Sequence, residues 1–407
     1  MNIVAPSKAS PGARPWLTAT LLLTLAVGSA VQAGPREQAK RIHDRLAGVP
    51  ASDAVIDSMA AKISANDVIG AANEAMEHRA FYDVTLKNFV TPWTNRDANA
   101  FAPLNDYTAT VIGMVRDNED FRTVLYGDII YTGSGSGVPA YSNTSNAHYE
   151  YLENNNINLK DALQKRVQSA VTGMPSAATA GVITTRAAGR AFFIDGTNRA
   201  MFRWTLMNHM CNDLEQVADT TYIPDRIRQD VTRSPGGDSR VFLNNCIGCH
   251  SGMDPLAGAY AYYDYTYPEN DMEAGQVVYH DIGTINEVTG TRVDPKYHNN
   301  NANFRPGFIT VDDSWANYWR KGNNQVLGWD SSLPGSGNGA KSMGMELAHS
   351  EAFAQCQVKK VFKAVCLRNA VDSTDRNQID QMVSSFKANN YQLKRVFAES
   401  ANYCKGE

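Results

Sequence analysis

One five-residue motif, Cys246-Ile-Gly-Cys249-His250, constrains this chain more than any other part of its sequence. Two thiols that stand three positions apart lie about one helical turn from each other. At that spacing they can add to the two vinyl groups of a haem, while the adjacent imidazole binds the iron on the same face. The motif therefore predicts one covalent c-type haem, attached to Cys246 and Cys249, ligated by His250 and packed among helices.

Two other kinds of site also use paired cysteines near a histidine. A structural zinc site needs four ligands, usually as two paired sets, and the sequence has no second C-x-x-C pair and no H-x-x-x-H pair. A thiol-disulfide oxidoreductase would carry the motif after a strand in a βαβ unit, whereas a helical, asparagine-rich segment precedes it here. Haem c is therefore the cofactor that the sequence predicts.

The first 33 residues have the order of a secretory signal peptide. Lys8 and Arg14 precede an apolar run from Trp16 to Val27, and small residues follow at Val31-Gln-Ala33. An uncleaved membrane anchor is the alternative, but the apolar run is short for a bilayer span. We therefore expect cleavage near Ala33, a periplasmic or extracellular location, and no membrane span in the mature chain.

Four cysteines remain beside the haem motif, an even number that an oxidising compartment would pair. They are Cys211, Cys356, Cys366 and Cys404, and they could form two bridges in three ways. Cys356 and Cys366 lie in one predicted amphipathic helix, about 15 Å apart along its axis, which exceeds the roughly 7 Å that a disulfide can span. Each must then pair elsewhere, and we favour Cys366 with Cys404 and Cys211 with Cys356.

Periodic apolar residues predict a mainly α fold. Residues 34–205 are expected to form a helical domain, and residues 206–407 a helical cytochrome c-like domain that holds the haem. The main predicted helices are Pro35–Leu46, Ser52–Ile63, Asp67–His78, Arg79–Val90, Asn158–Ser169, Thr197–Met210, Gly344–Arg368, Asp375–Ala388 and Tyr391–Ala401. A small β-hairpin, with strands Val277–Tyr279 and Thr284–Thr289, is expected as an insertion between the haem motif and these C-terminal helices.

The charge balance argues against a nucleic-acid partner. The chain has 38 basic and 42 acidic residues, and cleavage near Ala33 would remove two of the basic ones, Lys8 and Arg14. A net negative chain lacks the basic footprint of a nucleic-acid binder. We expect the partner to be a redox protein.

The second axial ligand of the iron decides what the haem can do. Met253 is too close to His250, because about 11 Å of extended chain cannot round the haem edge and return to the iron. Met343 and Met345, just before the helix of Cys356, are the distal candidates, although both could equally pack the core. His280, His298 and His349 are further candidates for this position.

The segment Cys246-Ile-Gly-Cys-His-Ser-Gly-Met-Asp-Pro-Leu-Ala-Gly-Ala-Tyr-Ala-Tyr-Tyr-Asp264 resembles the haem segment of the planctomycete-type cytochrome c-like domain family. Looser likeness extends over Phe101 to Cys404. The resemblance implies a helical scaffold with one c-type haem, and it carries over only Cys246, Cys249 and His250 as functional residues. Asp254 and Pro255 match as well, and we interpret them as shaping the turn after the attachment site. The resemblance names no reaction.

Two functions follow from a single exported haem. In the first, the protein is a mono-haem c-type cytochrome that transfers electrons in the periplasm or at the cell surface. A distal Met or His then completes the coordination of the iron. In the second, it is a haem enzyme of the peroxidase or oxidase type, with an open distal side bordered by His280 or Arg305. A helical region that docks the cytochrome in a larger assembly is a third possibility. Whether the protein is an enzyme is left open by the sequence.

Overall fold

The structure is a computed structural model that describes residues 33–194, 198–227, 239–297 and 308–406. The predicted signal segment up to residue 32, the candidate ligand His298 and the candidate distal Arg305 lie outside these ranges. Within them, no helix has the length and apolar character needed to cross a membrane.

The described chain is mainly helical, which confirms the predicted fold class. The helices are α1 Pro35–Ala47, α2 Asp53–Ser64, α3 Val68–Met76, α4 Lys87–Val90, α5 Asp106–Arg116, α6 Ala147–Asn154, α7 Leu159–Ala162, α8 Gln168–Thr172, α9 Arg186–Phe192, α10 Arg199–Met210, α11 Ser239–Val241, α12 Ile247–Ala257, α13 Gly339–Ala348, α14 Glu351–Cys366, α15 Ser373–Ala388 and α16 Leu393–Cys404. The strands form three two-stranded antiparallel sheets: β1 Ile130–Gly133 with β2 Leu163–Arg166, β3 Tyr263–Thr266 with β4 Gln276–Tyr279, and β5 Ser314–Ala316 with β6 Ser336–Asn338.

The first three helices begin and end where local capping chemistry places them. Pro35 stands in the first turn of α1, and Gly48 ends it with a φ of 72°, a conformation that glycine adopts without steric cost. The side chains of Ser52 and Asp67 accept hydrogen bonds from the first turns of α2 and α3, as N-cap residues do. These three helices match the predicted ones to within two residues at each end.

The last helix covers the first ones. Helix α16 packs against α1 and α3, and the ring of Phe397 lies 5.2 Å from that of Phe81 and 5.4 Å from that of Phe89. Arg45 of α1 donates a hydrogen bond of 2.6 Å to the carbonyl oxygen of Cys404, and Arg41 donates one of 3.2 Å to that of Lys405. The N-terminal and C-terminal helices therefore share one packed layer.

A single main core draws buried residues from both predicted domains. Its members run from Ala39 in α1 to Cys404 in α16. The predicted boundary between residues 205 and 206 falls inside α10, which packs against both α14 and α12. The two predicted domains therefore share their core.

Three sequence predictions are wrong in detail. The helix predicted over Gly344–Arg368 is two helices, α13 and α14, because Ser350 is extended and caps the start of α14. The hairpin after the haem motif exists, but Gln276–Tyr279 pairs with Tyr263–Thr266 rather than with Thr284–Thr289. Tyr263 and Tyr265 bury their rings in the core, whereas Ile285 and Val288 are exposed. The predicted helix Asn158–Ser169 is interrupted: its middle is β2, which pairs with β1. Pairing with a distant strand outweighs weak local helix preference.

Two disulfides hold the C-terminal helices: one ties α14 to the end of α10, and the other ties α14 to α16. Cys211, directly after α10, is bonded to Cys356 in α14. Cys366, at the end of α14, is bonded to Cys404 at the end of α16. These are the two pairs that the sequence favours, and Cys356 and Cys366 lie in one continuous helix, as the argument for them assumes.

Candidate haem site

The motif lies where a π-helical turn meets an α-helix. The turn Phe242–Cys246 leads directly into α12, so that Cys246 precedes the helix and Cys249 and His250 lie in its first turn. Single π-helical turns inside helices occur frequently at functional sites. Cys246 and Cys249 are not in disulfides, and both are partly exposed. The two thiols therefore remain reachable for covalent attachment.

The thiol of Cys249 faces the segment that follows α10. Its Sγ lies 3.5 Å from the carbonyl oxygen of Leu214. Burial raises the pKa of the Cys249 thiol, and the nearby charge of Glu215 adds to that effect. Thiolate is the reactive form of cysteine, so this environment keeps Cys249 in its less reactive protonated state at neutral pH.

Close packing fixes α12 in place. A Cβ at Gly252 would lie 2.0 Å from Nε1 of Trp319, so only glycine lets this buried indole approach the helix. Ser251 donates a hydrogen bond of 3.1 Å to the carbonyl oxygen of Asp219. Helix α10 packs along α12 as well. These contacts hold the residues on the motif's helix in a defined orientation.

His250 is oriented by a buried carboxylate one helical turn later. Its Nδ1 lies 3.1 and 3.2 Å from the two carboxylate oxygens of Asp254, whose side chain is 0% exposed. An ionised carboxylate can only accept hydrogen bonds. Nδ1 of His250 therefore carries the proton, and Nε2 is left with the lone pair that a metal needs.

Arg199 completes this arrangement from the start of α10. It donates to the same carboxylate from Nε, at 2.8 Å, and from Nη2, at 3.1 Å. A bidentate guanidinium contact is the geometry in which arginine binds a carboxylate most strongly. The result is a hydrogen-bonded network of His250, Asp254 and Arg199. In it the guanidinium compensates the buried charge of Asp254, and the carboxylate holds the imidazole.

These residues fit a c-type haem. Two unbonded thiols stand one helical turn apart, and His250 has its iron-binding nitrogen free of Asp254. The ring of Phe242 lies 5.3 Å from that of His250, and Phe242 with Ile227 forms a small apolar cluster against which Cys246 packs. Cys246 and Cys249 would hold the haem covalently, and His250 would bind its iron.

The distal candidates lie on other elements. Met343 and Met345 are in α13, two residues apart and therefore on opposite sides of that helix; Met343 is fully buried in the main core, and Met345 is partly exposed. Nδ1 of His349 lies 2.8 Å from the carbonyl oxygen of Met345, and Nδ1 of His280 lies 2.8 Å from that of Arg292. The distal ligand stays a prediction.

Sequence reasoning missed the roles of Asp254 and Arg199. The i, i+4 spacing of His250 and Asp254 on a helix was a usable signal, because residues at that spacing face each other. Arg199 stands 51 residues before His250 and comes close only through the packing of α10 on α12. Asp254 therefore lies inside α12 and contacts the imidazole of His250, instead of shaping a turn.

Among the described residues, no group of three or more His, Cys, Asp and Glu side chains has an arrangement that could hold a metal ion. Two thiols and one histidine are what a covalent haem requires from the protein on the proximal side. Comparison with protein-family models, with curated proteins and with solved structures finds no match to this chain.

Proposed function

We propose that the protein is an exported mono-haem c-type cytochrome that transfers electrons in the periplasm or at the cell surface. The observation that carries the proposal is the hydrogen bond between Nδ1 of His250 and the buried Asp254, which leaves Nε2 for iron beside two unbonded thiols. A histidine that ligates a metal commonly donates its other N–H to a carboxylate in this way.

Each side chain of the site has a separate role in the proposed function. Cys246 and Cys249 attach the haem, and the Nε2 atom of His250 ligates its iron. When bound, the haem supplies a one-electron couple. Asp254 fixes the tautomer and the orientation of the imidazole. The electron passes to or from a redox partner protein.

Export has independent support in the two disulfides. Bonds such as Cys211–Cys356 and Cys366–Cys404 form and persist in oxidising compartments. The same compartment is where the segment before Ala33 would direct the chain. A periplasmic or extracellular location is therefore part of the proposal.

One observation favours a second candidate, a haem enzyme with an open distal side. Met343 belongs to the main core, whereas Cys246 packs on the separate cluster of Ile227 and Phe242. A methionine that packs the core is not available to iron. Without a strong distal ligand, the iron could react with peroxide or oxygen.

Covalent attachment is the first test. The full chain would be secreted from a bacterial host that matures c-type haem, and denatured protein would be tested for bound haem by intact mass and by a pyridine haemochrome spectrum. We expect one haem per chain in the wild type and none in the double variant Cys246→Ala/Cys249→Ala.

The double variant Cys211→Ala/Cys356→Ala is the matched control, because it removes two cysteines without touching the motif. It should keep covalent haem in its folded fraction. Wild-type protein without covalent haem, or retention of the haem by Cys246→Ala/Cys249→Ala, would overturn the proposal.

A second test separates the carrier from the enzyme. Optical and EPR spectra of wild type would be compared with those of Met343→Leu and Met345→Leu, which conserve volume in the core. A low-spin ferric haem whose far-red methionine band disappears in one variant assigns that ligand and supports electron transfer. A high-spin haem that binds cyanide or peroxide readily supports the enzyme.

A further inference from the structure

The buried carboxylate of Asp254 accepts hydrogen bonds from both His250 and Arg199. His250 donates to it from Nδ1 at 3.1–3.2 Å, and Arg199 donates to it at 2.8 and 3.1 Å. Its side chain has no solvent exposure, while those of His250 and Arg199 are each 19% exposed. Interactions among charged groups are strong in such a water-poor setting.

The hydrogen bond to a full negative charge makes the imidazole a stronger electron donor through Nε2. A stronger donor stabilises ferric iron more than ferrous iron, and hydrogen bonding around an axial ligand is one means by which proteins adjust the potential of a haem. Asp254 therefore lowers the reduction potential. The positive guanidinium of Arg199 offsets part of the negative charge of Asp254 through its bidentate contact. Arg199 therefore limits the lowering of the reduction potential.

We propose that the Asp254–Arg199 pair sets the reduction potential of the haem through Nδ1 of His250. The inference rests on the proposed function, since it requires a haem on His250. It makes Asp254 and Arg199 positioning residues with opposite electronic effects. A purely structural pair, which only fastened α10 to α12, would give no such opposition.

The two substitutions should therefore move the potential in opposite directions. In Asp254→Asn the amide oxygen can still accept from Nδ1, but the charge is gone, so the potential should rise. In Arg199→Gln the carboxylate keeps its charge and loses its bidentate partner, so the potential should fall. Loss of a carboxylate behind a ligating histidine commonly changes metal affinity about tenfold or more. A tenfold change in the preference for ferric over ferrous iron is a shift of about 59 mV.

Another pair in the same chain provides the control. Arg368 makes a bidentate contact of 2.5 and 3.0 Å with Asp375, whose side chain is also almost completely buried. That pair joins the end of α14 to α15. Arg368→Gln and Asp375→Asn make the same charge changes away from the motif and should leave the haem potential unchanged.

The experiment is a spectroelectrochemical titration of the secreted holoprotein at fixed pH, with covalent haem content measured first. The iron–histidine stretch, read by time-resolved resonance Raman on the five-coordinate ferrous form just after photolysis of its CO adduct, should move to lower frequency in Asp254→Asn and to higher frequency in Arg199→Gln. If Arg199→Gln does not fold, Arg199→Lys replaces it; it keeps the charge but not the bidentate geometry, and it should lower the potential by less.

The outcomes separate the two proposals. A wild type without covalent haem refutes the proposed function. Haem-loaded variants whose potentials move in the same direction, or no further than the Arg368→Gln and Asp375→Asn controls, refute the role of Asp254 and Arg199 and leave the cytochrome intact.

Discussion

Removal of either disulfide should weaken the fold by an amount that follows from the length of chain it closes. Cys211–Cys356 joins residues 145 apart in the sequence, and Cys366–Cys404 joins residues 38 apart. In the chain-entropy treatment these loops correspond to about 5 and about 4 kcal/mol of stabilisation at 25 °C. The two loops do not overlap, so their effects on the unfolded chain should add.

The variants are Cys211→Ala/Cys356→Ala, Cys366→Ala/Cys404→Ala, and the combination of all four changes. Alanine is chosen because Cys356 and Cys404 are almost completely buried, and a buried serine would add an unsatisfied hydroxyl. The free energy of unfolding would be measured by urea denaturation with circular dichroism. Each pair should lose several kcal/mol, and the fourfold variant about 9 kcal/mol, which is comparable to the whole stability of an ordinary domain.

The longer loop should account for the larger loss. A loss of less than about 1 kcal/mol for both pairs would contradict the entropic reasoning. It would mean that the unfolded chain is already compact without the disulfides, so that the bonds remove little of its conformational entropy. Equal destabilisation of wild type by a reducing agent would check that the alanine side chains themselves contribute little.

Two further predictions concern packing and charge. Gly252→Ala should cost about 1–3 kcal/mol of stability, because the new methyl group displaces the buried indole of Trp319. Gly248→Ala is the control: this glycine lies on the same helix with ordinary contacts, so its replacement should cost nothing. Equal effects of the two substitutions on thermal unfolding would contradict this reasoning. Arg368 holds the pKa of Asp375 well below its usual value, so this carboxylate stabilises the fold above the unfolded-state pKa of about 3.9 and stops doing so as the pH falls through its folded value. The stability difference between wild type and Asp375→Asn should therefore be full at pH 7 and shrink below about pH 4 in urea titrations; a difference that does not change with pH would refute the assignment.

Elements bounded by local chemistry were predictable from the sequence. The caps at Ser52 and Asp67 and the glycine at residue 48 mark helix ends that the structure shares. Helix α5 was missed for the opposite reason: all of its residues from Asp106 to Val115 are buried. A helix that is covered on every side has no polar face, and therefore no amphipathic period to detect.

The candidate site also has parts that local sequence specifies and parts that long-range packing specifies. The motif and the spacing of His250 to Asp254 are local, and a helix brings them together. The position of Arg199 depends on the packing of α10 against α12, which no short sequence pattern specifies. The distal side of the haem depends on such packing entirely, which is why the sequence left Met343, Met345 and the histidines as alternatives.

The contact between α1 and α16 has a consequence for how the chain acquires its fold. A chain that is synthesised from its N-terminus presents α1 to α4 long before Leu393–Cys404 is available to cover Phe81 and Phe89. Until then, the apolar faces of these helices are exposed to neighbouring chains, a condition that favours aggregation. The last helix thus sets the time at which the first helices become protected.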